Sequence, residues 1–167
     1  MLTIPWLDEA KKYIGLQEWK NGSNPKIEKF AQVVGGDVAL EYTDDNIPWC
    51  GLYVAYVFAQ VGINPVKRPL WARNWANFGE KLKEPAYGCV VTFSRNSGGH
   101  VGFYLGEEGA YYIILGGNQS DSVSITKIEK SRAISYNWPL GDEFKKFFKP
   151  GRVKTKMANI KISKNEA

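Results

Sequence analysis

"DDNIPWCGLYVAYVFAQVG", Asp44 to Gly62, decides how this chain is read. From Cys50 to Val61 it has the composition of a helix in which only Gln60 is strongly polar. A helix that is apolar nearly all round belongs at the centre of a core. Its start is unusual: Pro48 and Trp49 lead into Cys50, and no serine or aspartate caps it. A thiol in the first helical turn feels the positive end of the helix dipole and the unpaired backbone N–H groups. Both favour thiolate. The same N–H groups can receive the oxyanion formed when a thiolate attacks an amide carbonyl. The alternative is a structural thiol that merely starts a buried helix.

The segments around this stretch predict an α+β domain. Upstream, a first helix is predicted from Pro5 to Tyr13 with Gly15 just past its end, and a second from Asn24-Pro25 to the Gly35-Gly36 stop. A short helix is predicted over Ala72 to Phe78. After Pro85 the pattern changes to short β-rich runs, "GCVVTF", "HVGFYL", "AYYIIL", "SVSIT" and "RAISYNW", split by turn clusters. Spacing this tight favours antiparallel hairpins, so helices come first and a meander second. "GDEFKKFFK" reads as one more short amphipathic helix before a loose tail. The expected organisation is one α+β domain over 1–140 and a helix-plus-tail appendage over 141–167.

The 167 residues can bury a sizeable core, and no apolar run is long enough to cross a bilayer. Two cysteines are too few for a disulfide framework and are expected as free thiols. The net charge of +5 is localised: residues 1–140 carry 14 basic and 14 acidic side chains, residues 141–167 carry 8 and 3. The tail therefore holds the whole excess, a modest attraction for anionic polymers or membrane surfaces, or simply a solvated end.

His100 is the single histidine. Any serine or thiol site that uses an imidazole base must converge on it. A zinc site has little support from one His and two distant Cys, and no phosphate-binding glycine motif or nucleic-acid module is present. Cys89 is excluded as its partner by the predicted hairpin, whose turn lies at Asn96–Gly99. Five strand residues at about 3.3 Å each separate the two by roughly 17 Å. Cys89 then reads as a small buried hydrophobe, and Cys50 remains. If the strand from His100 turns back through "GEEG", His100 lies opposite Leu115–Gly117, and Asn118 follows at once. Its side-chain oxygen would orient the imidazole, although an asparagine in a turn also serves backbone needs.

With these residues in view, "TDDNIPWCGLYVAYVF", "GCVVTF", "GGHVGFYLG" and "LGGNQSDSVSI" resemble the CHAP and NlpC-type cysteine peptidase/amidase superfamily, over roughly residues 5–140. The nearest likeness is to a compact group of bacterial and phage cell-wall hydrolases. The resemblance implies a papain-like α+β fold, with the nucleophile at the start of a central helix packed on an antiparallel sheet. It implies cleavage of peptidoglycan amide bonds without metal or cofactor. By position it makes Cys50 the nucleophile, His100 the base and then the acid, and Asn118 the orienting residue. Many CHAP members have a glutamate two positions before that asparagine, where this chain has Gly116.

Substrate contacts are expected from Trp49 beside the nucleophile, from Trp71 and Arg73 beyond the central helix, and from Asp45 and Gln119 at the motif ends. The N-terminus shows no signal-peptide pattern. The expectation is a monomeric enzyme, made in the cytoplasm, that meets peptidoglycan after delivery by a holin or a secretion system. It has no nucleic-acid partner. The rivals are a noncatalytic wall-binding or virion module, an injected antibacterial effector, and a thiol acyltransferase or deamidase on the same scaffold.

Overall fold

The structure is a computed structural model and describes residues 3–44, 47–157, 159–164 and 166. Helices α1 (Pro5–Lys11), α2 (Pro25–Val34), α3 (Gly36–Glu41) and α4 (Cys50–Gln60) come first, then a 3-10 segment over Ala72–Asn77. Six strands follow: β1 (Glu80–Leu82), β2 (Val90–Arg95), β3 (Gly98–Glu108), β4 (Tyr111–Gln119), β5 (Ser122–Glu129) and β6 (Ala133–Trp138), with α5 (Asp142–Lys145) after them. The sheet order is β1-β6-β2-β3-β4-β5, and its pairs are antiparallel. The α+β reading holds. Two elements escaped it: the Gly-Gly pair ends α2, but a new helix, α3, starts there, and β1 is only three residues long.

Helix α4 is central because its sequence leaves it no polar face; every residue from Cys50 to Phe58 is buried. It packs on the sheet through Tyr53 and Phe58, whose rings meet Phe103 of β3 at 6.4 and 5.7 Å. On its other side Phe30 of α2 stacks on Tyr56 at 4.2 Å. Trp6 of α1 ties this layer to the far edge of the sheet, with its ring 5.9 Å from Phe58 and 5.1 Å from Trp138. Its indole N–H is satisfied by Gly88 O at 2.8 Å.

The opposite face of the sheet is strongly curled. Tyr112 of β4 and Tyr136 of β6 bring their hydroxyls within 2.7 Å although two strands lie between them. The tail closes over this region and is not loose. Val153 O accepts from Glu107 N at 2.7 Å and Thr155 N donates to Glu107 O at 3.0 Å. Farther on, Lys161 O accepts from Lys127 N and Ser163 N donates to Lys127 O, both at 2.9 Å, so the tail lies parallel along the edge strand β5. Capping that edge satisfies backbone groups that would otherwise invite another chain.

The head of α4 is held by a close approach. A Cβ placed on Gly51 would lie 1.9 Å from Pro69 O, and Trp75 Nε1 donates to the same carbonyl at 3.0 Å. The loop carrying Trp71 and Arg73 is thereby seated on the first turn of the helix. Gly51→Ala forces backbone apart, and we expect a loss of about 1–3 kcal/mol or more in urea unfolding. An unchanged midpoint would show that the loop does not bear on the helix.

Candidate active site

Cys50 is the first residue of α4, and Trp49 before it offers no side-chain cap. Its thiol hydrogen-bonds with the backbone of Val101, the residue after His100, and of Gly51. The head of α4 thereby lies against β3. The surroundings are closed: Cys50 is 3% exposed and His100 is fully buried. The sequence predicts a thiol with a lowered pKa, and here the structure differs. Burial pushes the Cys50 thiol up, opposed by its hydrogen bonds with the Val101 and Gly51 backbone and by the charge of Arg95, and Glu166 pushes it further up. Loss of water outweighs the helix N-terminus. Cys89 is also buried and is pushed up to about 12, as suits a core thiol.

The ring of His100 is oriented by Gln119 and not by Asn118. Gln119 Oε1 lies 2.9 Å from His100 Nε2. The amide cannot be turned round, because its Nε2 donates to Ser124 O at 2.6 Å and to Ile114 O at 3.3 Å. An oxygen facing the ring needs a proton on His100 Nε2, which leaves Nδ1 as the bare, basic nitrogen. Nδ1 is buried and has no hydrogen-bond partner. Burial lowers the His100 pKa from 6.5, against a raising effect from Glu166 and the Gln119 bond. A neutral imidazole with its lone pair free is the form a general base needs.

The exchange of Gln119 for Asn118 has a backbone cause. Gly116 pairs with Ser124 and Gln119 with Ser122, so residues 117 and 118 of β4 stand against Val123 alone. This one-residue bulge shifts the alternation of side chains by one position. Asn118 sits at φ 58° within it. Gln119, not Asn118, then shares a side of the strand with Gly116. A Cβ on Gly116 would lie 2.6 Å from Gln119 Oε1 and 3.4 Å from His100 Nε2. The glycine is what lets the amide reach the ring.

Other expected contacts fare differently. Trp49 was expected to wall a cleft, but its indole is fully buried, bonded to the Glu18 carboxylate and pressed on Gly117. It packs the core. Gln119, expected to touch substrate, is buried and occupied by His100 and two carbonyls. Asp45 lies outside the described residues. Trp71 is 66% exposed, and Arg73 Nε donates to Gly98 O at 2.9 Å, two residues before His100. Both are exposed. Among the described residues no group of three His, Cys, Asp or Glu is disposed to hold a metal.

Sequence reasoning missed Arg132 and Glu166. Arg132 Nε donates to Ser94 O at 2.9 Å, and its guanidinium holds the Glu166 carboxylate in an ion pair buried on the glutamate side. Glu166 O accepts from Asn118 Nδ2 at 3.3 Å, and Ser163 Oγ donates to its carboxylate. Burial raises the Glu166 carboxyl, but Arg132, His100 and Ser163 together hold it below its ordinary value. No spacing rule links position 166 to position 100; only the path of the tail does.

Residues 42–118 match the CHAP domain family. The segment includes Cys50, His100 and Asn118, and it is consistent with the CHAP and NlpC-type cysteine peptidase/amidase superfamily. No curated protein matches the chain. The α+β architecture with its six-stranded antiparallel sheet is compatible with a CHAP domain. A CHAP domain implies hydrolase activity of the amidase or peptidase kind and suggests peptidoglycan as its target.

Two outcomes test this geometry. In 15N spectra the neutral His100 ring should show the Nε2–H tautomer, and Gly116→Ala, which pushes the amide off, should mix the tautomers; an unmixed ring in the variant would remove Gln119 from the role. Stability should also depend on pH with a definite sign. Because the folded pKa is depressed, only the unfolded chain takes up the His100 proton as pH falls through about 6.5. The melting temperature should be level above neutrality and fall below pH 6.5 in calorimetry, before the carboxylates titrate. A level curve to pH 5.5 would contradict the burial.

Proposed function

We propose that this chain is a papain-like thiol hydrolase that cleaves an amide bond of the cell-wall peptide, as a stem-peptide endopeptidase or an N-acetylmuramoyl-L-alanine amidase. The observation that carries this reading is the bare Nδ1 of an oriented imidazole, next in sequence to the residue whose backbone hydrogen-bonds with the Cys50 thiol. In this mechanism His100 Nδ1 takes the thiol proton and the sulfur attacks the substrate carbonyl. The oxyanion is met by the Cys50 backbone N–H at the head of α4. His100 then gives the proton to the leaving amine, and a thioester remains. Water, deprotonated by His100, attacks the thioester, releases the carboxylic acid and returns the thiol. The exposed Trp71 and Arg73 are the side chains offered to the peptide, Arg73 for a carboxylate.

The role that fits a wall hydrolase with an excess of basic residues over 141–167 is that of a phage endolysin, reaching the wall through a holin-made lesion. The runner-up is a noncatalytic module on the same fold, favoured by the burial of both Cys50 and His100. Digestion of purified sacculi separates the two. Wild type should release fragments with new amino groups, while Cys50→Ala should release none and melt within a few degrees of wild type. Digestion by Cys50→Ala at the wild-type rate would end the thiol mechanism; an inert wild type with a reactive Cys50 would favour the binding module.

A further inference from the structure

A buried nucleophile and a buried base cannot meet a polymer as they stand, so something must cover them. The segment that carries Glu166 is the candidate cover. It pairs with β5 through one parallel bridge: Lys161 O accepts from Lys127 N at 2.9 Å and from Thr126 Oγ1 at 2.8 Å, and Ser163 N donates to Lys127 O at 2.9 Å. Arg132 Nη1 donates to Ser163 O at 3.3 Å. The segment ends on Glu166, 1% exposed, with its backbone carbonyl on Asn118 and its carboxylate on Arg132. The Glu166 carboxylate is near enough to His100 and Cys50 for its charge to act on both. An extended peptide added to an edge strand, with a side chain anchored in a charged pocket, is how proteins bind peptides.

We propose that residues 161–164 together with Glu166 cover the reacting pair where the substrate peptide would lie, as an intramolecular inhibitor, with Glu166 holding on Arg132 the place of a substrate carboxylate. The proposal rests on the hydrolase reading for its substrate, but the occlusion itself does not. When the segment leaves, Arg132 presents its guanidinium, already braced by Ser94 O, beside His100. A free carboxylate on the cell-wall peptide is the matching group, because a planar guanidinium binds carboxylates bidentately. Lys161, Ile162 and Lys164 are exposed, while Glu166 is buried. Main-chain pairing and one buried acid therefore carry the docking.

The test reads the thiol directly. A chain ending at Ile160 should alkylate at Cys50 with iodoacetamide about tenfold faster than the full chain, if the segment is seated some nine-tenths of the time. Glu166→Gln in the full chain should accelerate in the same direction by a smaller factor. A synthetic peptide of residues 159–166 added to the shortened chain should slow alkylation again, and its glutamine counterpart at 166 should do so more weakly. In parallel, turnover of soluble muropeptides should rise with the truncation, and amidation of their free carboxylates should raise KM of the shortened enzyme.

Unchanged alkylation in a folded truncated chain, or in Glu166→Gln should the truncated chain not fold, overturns the proposal. So does a fall in turnover for Glu166→Gln, which would make the carboxylate part of the catalytic machinery. A tail that only tethers the enzyme to anionic polymers predicts unchanged turnover of soluble fragments, and that result also overturns it. Faster alkylation without any hydrolysis would uphold the occlusion and reject the hydrolase reading.

Discussion

An imidazole removed from water has to find its hydrogen bonds inside the protein, and the way His100 meets that constraint organises everything near it. One nitrogen is given to Gln119 Oε1, and the other is left bare. Leaving a buried nitrogen without a partner costs roughly 1–3 kcal/mol. The arrangement around Gln119 is correspondingly tight: two carbonyls fix its amide, a bulge turns it to the correct side, and Gly116 clears its path. A side chain at 116 and a glutamine amide on the ring exclude each other. The absence of a glutamate at 116 is thus no vacancy in the site; the amide from 119 fills that space.

Some of this was legible in the residues and some was not. The near absence of polar residues in Cys50–Val61 identified a central helix because burial on all sides leaves a compositional mark. A single histidine left one candidate for the base. The register between β3 and β4 was nearly right, since hairpin geometry extrapolates well from a short turn. It slips at Leu105, between Tyr104 and Gly106, and at the end of β4 an unforeseen bulge against β5, where Asn118 adopts a positive φ, moves Gln119 into its place. Sequence spacing counts residues and cannot see an extra one that is left unpaired. Trp49 misled for a related reason: adjacency to the nucleophile in sequence places it at the helix head, but that head points its indole into the core.

The tail was misread for a different physical cause. Its lysines and lack of apolar periodicity are the marks of a solvated end, and they describe its outer side correctly. What holds it is backbone pairing at Glu107 and Lys127 together with one acid, Glu166. Main-chain hydrogen bonds are available to almost any sequence, so they leave no signature in composition. Arg132 is equally silent: it looks like one more surface cation until Ser94 O and Glu166 are seen around it.

These pieces bear on one electrostatic question, namely which anion accompanies the imidazole. A Cys–His pair is active when the sulfur can carry negative charge beside a proton-bearing ring. Burial works against that separation on both groups, raising the thiol and lowering the imidazole. Glu166 adds an asymmetric effect, since its carboxylate favours a protonated His100 and opposes a Cys50 thiolate. With Glu166 seated, the counter-charge that the ring would seek in the sulfur is already supplied. Arg132 then holds that competitor in place by pairing with it. The same guanidinium, once freed, favours an incoming substrate carboxylate, so a single positive charge serves the closed state and the loaded state in turn. The switch is therefore a change of anion on a fixed cation, and it needs no rearrangement of α4, β3 or the bulge that orients the base.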